Sequence, residues 1–140
     1  MSGRFFLDTN VFVYTFDSNA RAKATKAASL IRRAADTGEG VVSYQVVQEF
    51  FNVAFRRFSP AMTVPEAEQY LITVFRPLLA VHSSPALYIS ALRIKAKYRF
   101  GWYDSLIVAA ALEASCTILY TDDLQDGNEI ETLRIQNPFR

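Results

Sequence analysis

The amino-acid sequence predicts a three-layer α/β/α domain in which helices flank a central parallel sheet of four to five strands. Short apolar runs alternate along the chain with segments whose apolar residues recur at helical spacing, and this order is typical of parallel sheets with crossover helices. The chain has 140 residues, 51% of them hydrophobic, which suffices for one packed core. We therefore expect a single domain over residues 1–140.

The strands are predicted from short apolar runs without polar alternation. The first run, residues 4–7, is aromatic and unbroken and ends at Asp8, as expected for a strand that is buried on both faces. Ser43 ends the second run and can cap the helix that follows it. The predicted strands are residues 4–7, 40–43, 78–82, 117–120 and 132–135.

The helices are predicted from helical spacing and from residues that start or stop helices. Ser18 or Asn19 can cap the long second helix and Gly38 can end it, while Thr63 and Glu66 form a capping box. The last helix is apolar almost all round, so we expect it to be central. The predicted helices are residues 11–14, 20–35, 44–58, 63–74, 84–96 and 103–112.

Single cysteine and histidine residues narrow the possible chemistry. Cys116 and His82 are the only residues of their kinds, which argues against a disulfide, a thiolate-rich or histidine-rich zinc site, and Ser–His or Cys–His nucleophile chemistry. We interpret Cys116 as a buried inert thiol and His82 as a structural residue at a strand end. The sequence shows neither a membrane-spanning run nor a signal-peptide layout, so we expect a cytoplasmic protein with no membrane contact.

Acidic residues occur where the predicted sheet should collect its ligands. Asp8 and the pair Asp122 and Asp123 follow strands, while Glu49 and Asp104 lie near helix starts. Each alone has an ordinary interpretation as a helix cap or an exposed helical residue. Together, they should meet at the carboxyl edge of the sheet, where mutual repulsion calls for a cation. An all-oxygen ligand set selects Mg²⁺ or Mn²⁺.

Two further expectations concern the start of the last helix. The helix dipole and the unpaired N–H groups of the first turn should lower the pKa of Asp104. We interpret Trp102, Tyr103 and Tyr44 as aromatic residues of the core. The net charge of +1 does not by itself indicate binding to nucleic acid.

Four motifs occur in a recognisable order along nearly the whole chain. They are Phe6-Leu7-Asp8-Thr9-Asn10, then Gln48-Glu49-Phe50, then Tyr103-Asp104-Ser105-Leu106-Ile107-Val108-Ala109-Ala110-Ala111, and finally Thr121-Asp122-Asp123-Leu124. Any one of them is a weak signal, whereas all four at these intervals are fairly specific. In this order they resemble the PIN-domain family, and within it the VapC-type ribonuclease toxins of type II toxin–antitoxin systems.

The resemblance implies a PIN-like fold and a Mg²⁺- or Mn²⁺-dependent endoribonuclease, which hydrolyses RNA phosphodiester bonds with a metal-activated water. It assigns the catalytic and metal-binding acids to Asp8, Glu49, Asp104 and, by a Thr-x-acid pattern, Asp123. Asp122 and Asp126 remain alternatives for the fourth acid.

The resemblance also implies supporting residues and partners. Thr9, Asn10 and Thr121 match polar positions that support the acids by hydrogen bonds. Single-stranded or loop RNA would be the substrate, with Trp102, Tyr103 or Tyr44 as possible stacking groups if they are not core residues. A cognate antitoxin protein would hold the toxin inactive. Family members commonly form homodimers, so a homodimer is expected here.

Two alternatives remain open from the sequence. A catalytically silent PIN-like module would bind RNA or protein without cleaving it. An aspartyl-phosphate phosphatase would use Asp8 as nucleophile, but such enzymes usually carry a second aspartate two residues later as general acid. Asn10 occupies that position here and cannot donate and recover a proton.

Overall fold

The computed structural model describes residues 3–140 and contains one six-stranded sheet within them. The strands are β1 (Arg4–Leu7), β2 (Gly40–Ser43), β3 (Leu79–Val81), β4 (Cys116–Tyr120), β5 (Glu129–Ile130) and β6 (Leu133–Gln136). Their order in the sheet is β3-β2-β1-β4-β6-β5, and every neighbouring pair is parallel except β5 with β6. The predicted α/β class, with a mostly parallel sheet flanked by helices, is confirmed.

Helices connect β1 to β2, β2 to β3 and β3 to β4, whereas a loop joins β4 to β5 and a tight turn joins β5 to β6. The helices are α1 (Thr9–Tyr14), α2 (Arg21–Thr37), α3 (Tyr44–Arg56), α4 (Val64–Tyr70), α5 (Pro85–Tyr98) and α6 (Trp102–Glu113). A π-helical turn, Leu71–Phe75, continues α4. None of the helices within residues 3–140 combines the length and the apolar character needed to cross a lipid bilayer.

The order of the strands creates a crevice beside β1. From β1 the chain adds β2 and then β3 on one side, and it later returns to place β4 on the other side. In open parallel sheets, ligand sites form at the carboxyl ends of the strands where the order reverses in this way. Asp8 directly follows β1 and Thr121 directly follows β4, so both lie at this point of reversal.

The edge of the sheet differs from the prediction by one strand. β5 pairs antiparallel with β6 through a tight turn, which makes six strands instead of four or five. Hairpin turns that need positive φ are usually marked by Gly, Asn or Asp. Here Glu131 takes the positive φ of 56°, so the usual signal was missing.

Two predicted helix caps are wrong in detail. Asn19 donates its N–H to the Asp17 carboxylate (2.9 Å) within the preceding turn, and α2 begins after Ala20, which makes no side-chain cap. Ser43 holds the N-cap position of α3, but its side chain makes no capping hydrogen bond. Gly38 ends α2 in the left-handed conformation (φ 70°), and the predicted capping box at Thr63 is present.

Helices α3 and α6 carry two of the candidate site's acids, and their packing in the core fixes their positions. In α6 every side chain from Ser105 to Ala111 is buried, which confirms its predicted central place. In α3 the fully buried Phe50 stacks on Tyr70 (4.9 Å between ring centroids) and meets Phe75 edge-on (5.3 Å). These aromatic contacts set the rotation of α3, and hence the direction of the neighbouring Glu49.

Gly40 offers a test of how closely α2 packs on the sheet. A Cβ at this position would overlap the Ala34 side chain and lie 2.8 Å from Phe5 Cε2. We therefore expect Gly40→Ala to lower the free energy of unfolding by about 1–3 kcal/mol, the usual cost of overpacking a core. Urea denaturation measures this loss. Gly101→Ala is the control, because a Cβ there has no neighbour within 4 Å. Equal losses in both variants would contradict the close packing.

Candidate active site

Asp8 lies where β1 passes into α1. Its Oδ1 accepts the Thr9 N–H (2.7 Å), and its Oδ2 accepts the Thr121 hydroxyl (2.7 Å). The carboxylate therefore caps α1 while it also lines a cavity at the carboxyl edge of the sheet. Asp8 has only 5% of its surface exposed. The effect of this burial outweighs that of the two hydrogen bonds and raises the pKa of Asp8 to about 7, and the Asp123 and Glu49 charges add smaller increases.

Glu49 reaches the same cavity from the second turn of α3. The Thr9 hydroxyl donates to its Oε1 (2.7 Å), and Gln45 Nε2 donates to its Oε2 (3.3 Å). Gln45 lies one turn earlier on α3 and also donates to the Tyr103 carbonyl (3.1 Å) at the start of α6. Thr9 thus joins the acids of β1 and α3, and Gln45 joins α3 to α6.

Asp104 lies in the first turn of α6, but the expected effect of the helix dipole is not observed. Its pKa is raised, first by burial and then by the nearby Glu49 carboxylate. The prediction of a lowered pKa is therefore wrong, because desolvation and a like charge outweigh the dipole. Asp104 is not the N-cap, which is Gly101. Its carboxylate makes no hydrogen bond to any residue of the described range 3–140.

The structure separates the three candidates for the fourth acid. Asp123 lines the cavity, and its pKa is raised by burial and then by Asp122, Asp104 and Glu49. Asp122 does not line the cavity. Its carboxylate accepts hydrogen bonds from Asn10 Nδ2 (3.0 Å) and from the Tyr14 hydroxyl (2.9 Å). Asp126 accepts the Asn137 N–H (2.7 Å) in the C-terminal segment. Asp123 is therefore the one that joins the other acids.

One cavity of about 280 Å³ brings the four acids together. Asp8, Glu49, Asp104 and Asp123 come from four separate segments, and Thr9 and Asn10 line the same space. Thr121 does not line the cavity, but its hydroxyl donates a hydrogen bond to the Asp8 carboxylate. Gln45 and Asn52 also line the cavity and were not singled out from the sequence. The spacing of four between Gln45 and Glu49 on one helix face was the available signal.

Negative charge in this cavity is not balanced by protein cations. No Lys or Arg within residues 3–140 forms an ion pair with any of the four acids; the pair Lys97–Glu131 lies on the surface. In the same part of the chain, no group of three or more Asp, Glu, His or Cys side chains could hold a metal ion as placed. Asp8 and Glu49 direct their oxygens to protein donors instead.

The donor set nevertheless has the chemistry of a hard-cation site. It consists of four carboxylates, with amide and hydroxyl oxygens nearby and neither Cys nor His. Burial, and then the nearby acids, raise the pKa values of Asp8, Asp104 and Asp123. Such oxygen ligands suit Mg²⁺ or Mn²⁺. Cys116, by contrast, is buried in β4 with its pKa raised to about 11, so it stays a thiol.

The Asp8 carboxyl should make the stability of the metal-free protein depend on pH. Its pKa is about 7 in the folded chain against an ordinary 3.8, so between these values the folded state holds a proton that the unfolded state has lost. The stabilisation that this bound proton gives the folded state is complete below about pH 4 and is lost as pH rises through about 7. Over this range the free energy of unfolding falls by up to about 1.4 kcal/mol per pH unit.

Urea denaturation in EDTA between about pH 5 and pH 8 measures this dependence. Asp8→Asn should make the free energy of unfolding fall less steeply with pH, because the group that releases the proton is gone. The raised pKa values of Asp104 and Asp123 act in the same direction and leave a residual slope. A stability that rises over this pH range would contradict the raised pKa of Asp8.

A mostly parallel open sheet with acids gathered at its point of strand reversal defines an α/β protein with a candidate ligand site at that edge. The model of the PIN domain family matches residues 5–126. The chain therefore belongs to the PIN-domain family. No curated protein matches it in sequence.

Three solved structures illustrate the similarity in fold. Mycobacterium tuberculosis VapC20, a Sarcin-Ricin loop cleaving toxin, has 17% identity and a TM-score of 0.61 over 85% of this chain and 89% of that chain. VapBC2 from Rickettsia felis, bound to a DNA fragment from its promoter, has 17% identity and a TM-score of 0.63 over 95% and 97%. FitAcB from Neisseria gonorrhoeae has 15% identity and a TM-score of 0.63 over 96% and 98%. At these identities the similarity shows the fold.

Proposed function

We propose that the protein is a divalent-metal-dependent endoribonuclease and the toxin of a toxin–antitoxin pair. The observation that carries the proposal is the convergence of four carboxylates from separate segments on one cavity without a protein cation. Membership of the PIN-domain family and the similarity to VapC20, a toxin that cleaves the Sarcin-Ricin loop, support the same class of activity.

The residues of the cavity divide into ligands and residues that orient them. Asp8, Glu49, Asp104 and Asp123 would hold Mg²⁺ or Mn²⁺. When bound, such an ion supplies positive charge to the oxygens of an RNA phosphate and lowers the pKa of an attacking water.

Neighbouring side chains fix the direction of these acids. Thr121 holds Asp8, and Thr9 holds Glu49, each through a hydroxyl at 2.7 Å. Asn10 Nδ2 holds Asp122 at 3.0 Å and reaches Asp123 at 3.4 Å. Because each hydrogen bond directs a lone pair of its carboxylate, these residues preorganise the cavity for a positively charged ligand.

The structures that share this fold support a proposal about partners. Two of the three similar structures are of VapBC2 and FitAcB, and a cognate antitoxin is accordingly proposed as the inhibitor of this chain.

A homodimer is also proposed. Ile89 and Leu92 lie three residues apart on α5 and are 50% and 55% exposed, an apolar face that self-association would cover. Light scattering of the purified chain tests for the dimer.

Incubation of purified protein with a labelled unstructured RNA tests the proposed activity. We expect cleavage in Mn²⁺ or Mg²⁺, no cleavage in EDTA, and recovery when excess Mn²⁺ is added back. Cleavage that persists in EDTA would refute the metal-dependent mechanism. Retention of RNA without cleavage in either metal would favour the catalytically silent binding module instead.

A further inference from the structure

A second cavity adjoins the acidic one. It has a volume of about 270 Å³ and shares Gln45 and Tyr103 with the cavity of the four acids. Its size lies just below the range of roughly 300–1,000 Å³ that is usual for pockets of drug-sized ligands. The cavity therefore suits a group of one or two rings placed next to whatever the acids bind.

Aromatic side chains form much of the wall of this cavity. Tyr44 meets the ring of His82 edge-on (4.3 Å between centroids), and Tyr88 lies beside Trp102 (6.2 Å). Tyr103, at the junction of the two cavities, is 65% exposed. The interpretation of Tyr44 and Tyr103 as core residues is therefore wrong, since both are exposed. Exposed aromatic rings beside a phosphate site are what single-stranded nucleic acids stack upon.

Ser43 supplies a polar group with no partner inside this cavity. The residue is 3% exposed, and its Oγ has no hydrogen-bond partner among residues 3–140. The register of β2 with β3 shifts between Val42 and Ser43, and such irregularities re-aim side chains near functional sites. A buried hydroxyl without a partner is costly, which points to a ligand that completes its hydrogen bonding.

We propose that this cavity binds a nucleobase of single-stranded RNA, next to the phosphate held at the acids. The proposal rests on the proposed ribonuclease function. The Tyr88 and Trp102 rings would contact the face of the base, while the Ser43 hydroxyl and the Gln48 amide would contact its polar edge. A base fits this combination of flat apolar walls and few polar groups better than a bare phosphate or sugar does.

Trp102 allows base binding to be measured without cleavage, because it is the only tryptophan of the chain and lines the cavity. The probes are the four nucleoside 5′-monophosphates, which contain no phosphodiester bond, titrated with and without Mg²⁺. Ribose 5-phosphate is the control ligand, since it keeps the sugar and phosphate but lacks the base. We expect a saturable change of Trp102 fluorescence with at least one nucleotide and none with ribose 5-phosphate.

Two variants test the wall of the cavity without touching the acids. Tyr88→Ala should raise the Kd for the nucleotide about tenfold through lost stacking. Ser43→Ala should raise it about fivefold through one lost hydrogen bond. In RNA cleavage both variants should raise KM and leave kcat nearly unchanged. The matched controls are Phe55→Ala and Ser90→Ala, exposed residues that line neither cavity, and they should behave as the unaltered protein does.

The outcomes separate this proposal from the proposed function. A response to ribose 5-phosphate equal to that of the nucleotides, or unchanged Kd values in both cavity variants, overturns the base subsite even if metal-dependent cleavage is present. A response that needs the base and weakens in either cavity variant but in neither control supports the subsite. That result would stand even if the protein proved unable to cleave RNA.

Discussion

Asp8→Asn should reduce metal-dependent RNA cleavage by at least about a hundredfold, because loss of one ligand charge removes several kcal/mol of electrostatic stabilisation. The variant should still fold. An amide oxygen can accept the Thr9 N–H as the carboxylate does (2.7 Å), and the Thr121 hydroxyl can rotate to accept from the amide.

The same substitution should stabilise the metal-free protein at about pH 8, because it removes a buried charge whose pKa is about 7. Lost activity together with unchanged or raised stability distinguishes a site residue from a structural one. The control is Asp36→Asn, an exposed aspartate on α2, which should keep both activity and stability. Cleavage by Asp8→Asn near the level of this control would remove Asp8 from the catalytic set.

Saturating Mn²⁺ should raise the melting temperature of the unaltered protein by roughly 8 °C. Binding at a hundred times Kd stabilises the folded state by about 2.7 kcal/mol, and each kcal/mol shifts the melting temperature of a domain of this size by roughly 3 °C. Relief of the repulsion between Glu49 and Asp104, which raises the pKa of Asp104, contributes to this gain.

Asp104→Asn should reduce the shift to less than about half, because the substitution removes one proposed ligand and part of the repulsion. Differential scanning calorimetry in EDTA and in Mn²⁺ measures both proteins, again with Asp36→Asn as the control. Asp104 makes no hydrogen bond within residues 3–140, and its replacement removes a carboxylate that burial and Glu49 destabilise, so the metal-free melting temperature should stay unchanged or rise slightly. A full Mn²⁺ response in Asp104→Asn would exclude Asp104 from the ion site.

Much of the fold was predictable because its signals are local. The unbroken apolar run of β1 and the apolar surface of α6 follow from burial on both sides, and both are confirmed. The errors occur where one residue can act in two ways. Asn19 and Ser43 are good capping residues by type, but Asn19 bonds to Asp17 and Ser43 forms no cap. Sequence spacing does not distinguish these outcomes.

The sequence predicts which acids belong to the candidate site better than it predicts their contacts and pKa values. Parallel topology alone brings Asp8 and Asp123 to one edge. The choice between Asp122 and Asp123, however, depends on Tyr14 and Asn10, whose contacts with Asp122 span more than a hundred residues. The pKa of Asp104 likewise depends on its distance from Glu49 and on burial, and neither is visible in the sequence of α6.

The double role of Asp8 affects how activity should be inferred across related chains. Its side chain ties the start of α1 to the residue that follows β4, so a relative that has lost its chemistry would still need aspartate or asparagine here to keep both hydrogen bonds. Asp104 gives no such benefit, because no other part of the described chain depends on its side chain. Inactive descendants should therefore keep aspartate or asparagine at position 8 and vary more freely at position 104, so an acid at position 104 is the better marker of a working enzyme.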